Sequence, residues 1–185
     1  MKDLFGKMLR RMFLRRVLVV LLPVLSFFYA FRSPIATDEY AVKAMFVYNF
    51  TKYFDWSHIE SKNDFVISVY GNSTINKYLK EISLRKSING KNIVIKTIYS
   101  ASEAIGSQIV FIPENESAIL SNLVENSELK SVVLIAEEKN GIKKGGHLNL
   151  ITIDGKMRFE LNETALNRDG INFSKDLVVL AIKSY

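Results

Sequence analysis

The 185-residue chain contains no cysteine. That single absence excludes disulfides, thiol catalysis, Cys-ligated zinc and thiol redox control. Proline and glycine are scarce, three and nine residues, which excludes a collagenous or low-complexity chain. Histidine occurs twice, at His58 and His147. The two are far apart in sequence and have no acidic neighbours at ligand spacing, so no metal site is expected. The patterns G-x-S-x-G, G-x-x-x-x-G-K-[ST] and G-x-G-x-x-G do not occur, and no residue can be assigned as catalytic or cofactor-binding from motif. The expectation is a protein that is not an enzyme and needs no cofactor.

Composition is otherwise ordinary for a folded protein, with 48% apolar and 24% charged residues. The net charge of +6 looks like a nucleic-acid signal, but it is unevenly placed. Lys2, Lys7, Arg10, Arg11, Arg15 and Arg16 stand against Asp3 alone in the first thirty residues, leaving only +1 for residues 31–185. A body that close to neutral makes no case for a nucleic-acid partner.

The basic stretch is followed by VLVVLLPVLSFFYAF (Val17–Phe31), fifteen uncharged residues interrupted by Pro23. That is shorter than the ~20 residues that span a bilayer comfortably. A basic leader joined to a short apolar run reads as a signal peptide. Neither Ala30, with Phe28 two residues before it, nor Ala36, with Pro34, completes a small-x-small cleavage pair. The segment is therefore either removed or kept as a membrane anchor, its basic end in the cytoplasm. Residues 1–36 are read as this leader and residues 37–185 as one exported, periplasmic domain. A domain of about 150 residues buries roughly two thirds of its unfolded surface and stands without disulfides.

Within that domain, residues 38–54 lack Gly and Pro and open on two acids, which predicts a helix. Phe46, Phe50, Tyr53 and Phe54 form one apolar stripe; Tyr40, Ala41, Ala44, Met45 and Tyr48 form another on roughly the opposite side. A helix apolar on two faces is covered twice, by the core and by a second element or a partner. Phe65–Gly71, Asn92–Tyr99, Gln108–Ile112 and Ser131–Glu137 are Val/Ile-rich runs of the fully buried strand type. Helices are predicted after Asn72-Ser73-Thr74, through about Leu84, and over 115–124. Leu148–Ile153 and Lys156–Leu161 flank Asp154-Gly155, the pair that favours a type I′ hairpin. Met157, Phe159 and Leu161 alternate there with Arg158 and Glu160, giving one buried and one wet face. Asn162 caps a short helix ending at Gly170, and Ser174 caps a last helix through Ser184. The fold class expected is α/β: a single compact domain with a mixed, mostly parallel sheet, helices packed on both faces and a C-terminal antiparallel hairpin.

Weak chemical candidates remain. GNST (Gly71–Thr74) sits where a strand turns into a helix, a place that binds phosphate in open α/β sheets, though an ordinary cap explains it as well. KKGGH (Lys143–His147) reads as a basic turn. Glu137-Glu138 and Asp154 have no evident pair.

The segment EYAVKAMFVYNFTKYFDWS (Glu39–Ser57) resembles the opening of the YfiR-like periplasmic proteins, with Lys43-Ala44, Tyr48-Asn49-Phe50, Phe54 and Trp56 at the matching positions and Ser57 where proline is usual. The likeness continues through FVISVYGNSTI, INGKNIVIK, QIVFIPENE and Gly145–Ala181, including the glycine pair before a strand, R-F-E-L-N and the terminal helix. The resemblance implies a non-enzymatic, often dimeric regulator that binds the periplasmic sensor domain of an inner-membrane signalling protein. The best-known relative represses a diguanylate cyclase, lowering cyclic di-GMP and restraining biofilm formation. Some relatives carry disulfides, a control this cysteine-free chain cannot share. Partner contacts are expected at Arg158, Glu160 and Asn162, where arginine in particular anchors interfaces, or on the Tyr40, Ala44, Tyr48 face of the first helix. The alternative is a periplasmic small-molecule-binding sensor or transport accessory using the crevice at the carboxyl ends of the strands.

Overall fold

A computed structural model describes residues 38–57 and 64–185. The leader and His58 lie outside these residues. The domain is built on an eight-stranded sheet in the order β2-β3-β1-β4-β5-β6-β7-β8. The strands are β1 (Phe65–Tyr70), β2 (Ser87–Ile88), β3 (Lys91–Ile98), β4 (Ile109–Ile112), β5 (Val133–Ala136), β6 (Leu148–Ile153), β7 (Lys156–Leu161) and β8 (Lys183–Ser184). The helices are α1 (Glu39–Phe50), α2 (Ile75–Ser83), α3 (Leu120–Glu125), α4 (Glu163–Arg168) and α5 (Lys175–Leu180). All pairings are parallel except β2–β3 and β6–β7, so the mostly parallel α/β fold read from the sequence is the one observed.

The four Val/Ile-rich runs are the parallel centre. Every residue of β4 and β5 is buried, as strands covered on both faces require. Phe111 and Ile135 look toward one core with Val47, Phe50 and Leu79. Val110 and Leu134, one residue away on the same strands, enter a second core with Leu120 and Leu123. Helices therefore pack on both faces. The Asp154-Gly155 hairpin is in the expected register, Leu148 opposite Leu161 and Ile153 opposite Lys156, and both turn residues have positive φ, 49° and 70°, as a type I′ turn demands.

Two local expectations are corrected and two details are added. The last helix stops at Leu180 rather than Ser184; the chain then runs parallel to β7 as β8, with Ile182 N–H donating to Phe159 O and Tyr185 N–H to Leu161 O. Covering a sheet edge satisfies more backbone groups than another exposed helical turn would. The 115–124 helix begins as 3₁₀ turns over Glu114–Ile119 before α3. Asn89-Gly90 makes a second tight turn, with φ of 50° and 78°, that adds β2 ahead of β3; Asn-Gly is itself a hairpin signal. Finally, the second face of α1 is only partly covered: Tyr40 and Met45 remain 37% and 48% exposed. Its neighbour there is α2, across a groove.

The exit of α1 is pinned to the C-terminal segment. Phe54 bridges Phe173, Asp55 N–H donates to Asn172 O at 3.0 Å and Ser174 N–H to Tyr53 O at 2.7 Å. Trp56, buried, donates its indole N–H to Thr51 O at 2.7 Å. These ties hold α1 beside β7 and α5, where the first concave surface lies.

Candidate functional site

Phe46 and Phe50, one turn apart on α1, stack edge-on at 5.9 Å between ring centroids, and Phe50 meets Phe159 of β7 at 4.9 Å. Met157 and Phe159 project from β7, and Leu177 and Leu180 from α5. Together they shape an apolar groove of about 230 Å³ bordered by Asn49 and Arg158. Arg158, exposed, borders the groove from the strand itself, alternating with Met157 and Phe159 and so projecting from the other, wet face of β7. Val179 and Ile182, also exposed, extend the apolar surface along the chain from Leu180.

The six side chains named as partner candidates do not form one patch. Arg158 borders the groove. Glu160 is half-buried and held, its carboxylate accepting from Asn149 Nδ2 at 3.0 Å and from the Tyr185 hydroxyl at 3.2 Å. Asn162 is buried and spent on the fold: its Oδ1 accepts from Ala165 N–H at 2.9 Å, capping α4, and its Nδ2 donates to Ile142 O at 3.2 Å. Ala44 is fully buried. These two have nothing to offer a partner from the folded domain. Tyr48 is half-buried and lines the other groove, between α1 and α2. Tyr40 stands at a third concavity.

That third concavity is a polar crevice of about 440 Å³ outside the carboxyl ends of β1, β4 and β5, lined by Asn72–Thr74, Pro113–Asn115 and Glu137, with Glu39, Tyr40 and Lys43 from α1. β3 and β4 lie on opposite sides of β1, so this is the point where strand order reverses, the usual ligand crevice of open α/β sheets. One wall of it carries the protein's own ion cluster. Lys43, buried, pairs with Glu39 at 2.8 Å and with Glu137, and its ammonium lies 4.8 Å from the Tyr40 ring centroid. Burial works against the charged lysine, but the two carboxylates outweigh it and raise its pKa above the ordinary 10.5. Glu137, which has no partner nearby in sequence, finds one across the fold. The GNST tract is an unremarkable helix entry, Ser73 Oγ reaching Ile75 N–H at 3.5 Å.

His147 is the other group that sequence spacing misjudges. Asp169, twenty-two residues on, comes to 3.0 Å from its Nε2, while its Nδ1 accepts the Leu134 backbone N–H at 3.0 Å. An acceptor Nδ1 puts the ring proton on Nε2, which donates to Asp169. Burial pushes the His147 pKa down. Burial would raise Asp169, but donation from Arg168 (2.8 and 2.6 Å) and from His147 holds its carboxyl well below the usual range. With both ring nitrogens engaged, His147 has no lone pair free to act as a base. Among the described residues no group of three or more His, Asp or Glu side chains is placed to hold a metal ion, and no helix is long and apolar enough to cross a membrane.

Comparison with known proteins adds to this geometry. No curated protein matches the chain. Among solved structures it is similar to the crystal structure of a conserved domain protein from Vibrio cholerae O1 biovar El Tor, at 12% identity and a TM-score of 0.55, with 80% of this chain and 60% of that one covered. The likeness is one of fold, and the chain accounts for only 60% of that structure's length. A family model, described as YfiR/HmsC-like, matches residues 40–182.

Proposed function

The chain belongs to the YfiR/HmsC-like family, and from that membership we propose that it is a non-enzymatic periplasmic regulator that binds the periplasmic part of an inner-membrane signalling enzyme. In this reading the target is a diguanylate cyclase held in check, so that cyclic di-GMP and biofilm formation fall. The observation that carries the proposal is the convergence of distant family-like blocks on one groove. Asn49 and Phe50 come from the opening segment, Arg158 and Phe159 from R-F-E-L-N, and Leu177 and Leu180 from the terminal helix, yet all line the same surface. An apolar floor with aromatic rings is the composition of an interface centre. A homodimer belongs to the same reading.

The test uses the full chain in cells. Arg158→Ala and Leu180→Asp change exposed groups and should leave the melting temperature nearly unchanged. They should reduce copurification of the membrane partner and raise cyclic di-GMP. Variants that fold, copurify and repress like the parent would remove the groove from the proposal; loss of the dimer alone would reassign it to self-association. The second reading, a small-molecule sensor, is supported by the polar crevice at the strand-order reversal. It calls for a ligand-dependent melting shift in the absence of any protein partner.

A further inference from the structure

The side of the domain formed by α1 and α2 carries a surface that the partner groove does not use. On α2, Ile75 and Leu79 are buried while Lys77 and Lys80 are exposed. At its exit Leu84, Arg85 and Lys86 are exposed together, Leu84 at 86%, the highest of the large apolar side chains among the described residues. Between α2 and α1 lies an apolar groove of about 290 Å³ that includes Met45, Tyr48 and Ile82 and is bordered by Arg85 and Lys86 with Glu81 as its one acid, while Asp38 accepts from the hydroxyl of Tyr78 beside it. The Lys52 ammonium lies 5.3 Å from the Tyr48 ring centroid.

Charge is strongly segregated around this surface. Residues 77–96 hold Lys77, Lys80, Arg85, Lys86, Lys91 and Lys96 against Glu81 alone, whereas residues 97–138 hold seven glutamates against Lys130. The first segment is α2, β2 and β3, at one end of the sheet. The second contains β4, α3 and β5, and α3 packs in the core on the opposite face of the sheet from α2. The charge of this near-neutral domain is thus uneven: α2 and its exit carry Lys77, Lys80, Arg85 and Lys86 against Glu81, while Glu114, Glu116, Glu125 and Glu128 lie in or beside α3, which packs on the opposite face of the sheet.

We propose that the α1–α2 face docks on an anionic bilayer surface. Leu84 and Met45 enter the boundary between headgroups and acyl chains, Arg85, Lys86, Lys77 and Lys80 meet lipid phosphates, and the acidic side is turned to water by the same field. Cations interleaved with exposed aliphatic side chains fit a lipid surface, which supplies both phosphate and hydrocarbon.

The absence of cysteine makes the test clean, because one introduced thiol is the only labelling site. A full chain carrying Leu84→Cys with a polarity-sensitive dye is compared with one labelled through Ser121→Cys on α3. Vesicles of phosphatidylglycerol with phosphatidylcholine are compared with pure phosphatidylcholine. The apolar leader can bring the full chain to either vesicle, so the readout is local to the dye. The expected result is a blue shift at position 84 with anionic vesicles only, reversed by raised salt, and none at position 121. Arg85→Glu with Lys86→Glu should weaken the response by about tenfold or more. No shift at 84, an equal shift with neutral vesicles, or an unchanged response in the double variant would overturn the proposal. So would a shift that needs no vesicles and grows with protein concentration, which would assign the face to the acidic side of a second copy.

Discussion

At the scale of single residues, burial decides which side chains carry stability and which carry pH sensitivity. Phe50 sits at the centre of the Phe46–Phe50–Phe159 cluster and is almost wholly buried. Phe50→Ala should therefore cost ~3–5 kcal/mol in denaturant unfolding; a cost below ~1 kcal/mol would put the ring outside the core. His147 provides the complementary case. Its folded pKa lies below the ordinary 6.5 because burial disfavours the charged ring. Its contribution to stability is complete above 6.5 and is lost as pH falls, when the unfolded chain takes up the proton first. Asp169, also lowered, loses its contribution only as pH falls below its ordinary 3.8. The melting temperature should fall in two stages on acidification. His147→Gln, whose amide can accept from Leu134 N–H and donate to Asp169, should remove the upper stage and keep the lower one.

At the scale of elements, the β6–β7 hairpin shows local chemistry and tertiary context in agreement. A Cβ added at Gly155 meets nothing within 4 Å, so Gly155→Ala should cost only the left-handed backbone penalty of about 1–2 kcal/mol. The midpoint of denaturant unfolding measures it, with no change in slope. Elements whose ends depend on distant neighbours behave differently. α5 has a capping serine and no helix-breaking residue before Tyr185, yet it ends at Leu180 because the free edge of β7 accepts and donates backbone hydrogen bonds there. α1 is apolar on two faces, and which side of it is covered, and by how much, follows from where α2 lies.

At the scale of the whole molecule, two expectations follow from composition. With no cysteine, thermal unfolding of the protein should be identical with and without reductant, so any difference would point to a bound partner or modification rather than to the fold. A fusion of residues 1–40 to a reporter active only after export should be active; an inactive, cytoplasmic fusion would remove the periplasmic address and the regulatory reading with it. The near-zero charge of the domain hides an uneven distribution, because cations cluster on α2 and its exit and glutamates around α3, on the opposite face of the sheet.

The sequence by itself determined the α/β class, the positions of the four parallel central strands, the hairpin and its register, and the caps at Asn162 and Ser174. Each of these rests on periodicity or on turn chemistry within a few residues, which tertiary contacts had no reason to override. It also placed Arg158 on the wet face of β7, by alternation along that strand. Burial on both faces, expected of all four strands, holds for β1, β4 and β5 but not for β3, where Asn92 and Lys96 are exposed. Only the tertiary structure decided that Asn162 and Ala44 are internal, that Glu160 is held by Asn149 and Tyr185, and that Lys43 is locked between Glu39 and Glu137. It likewise joined His147 to Asp169 and brought Phe46, Arg158 and Leu180 around one groove. Those relations connect residues up to more than a hundred positions apart, and no local pattern encodes them, since a buried charge or an open groove exists only once the elements around it have packed.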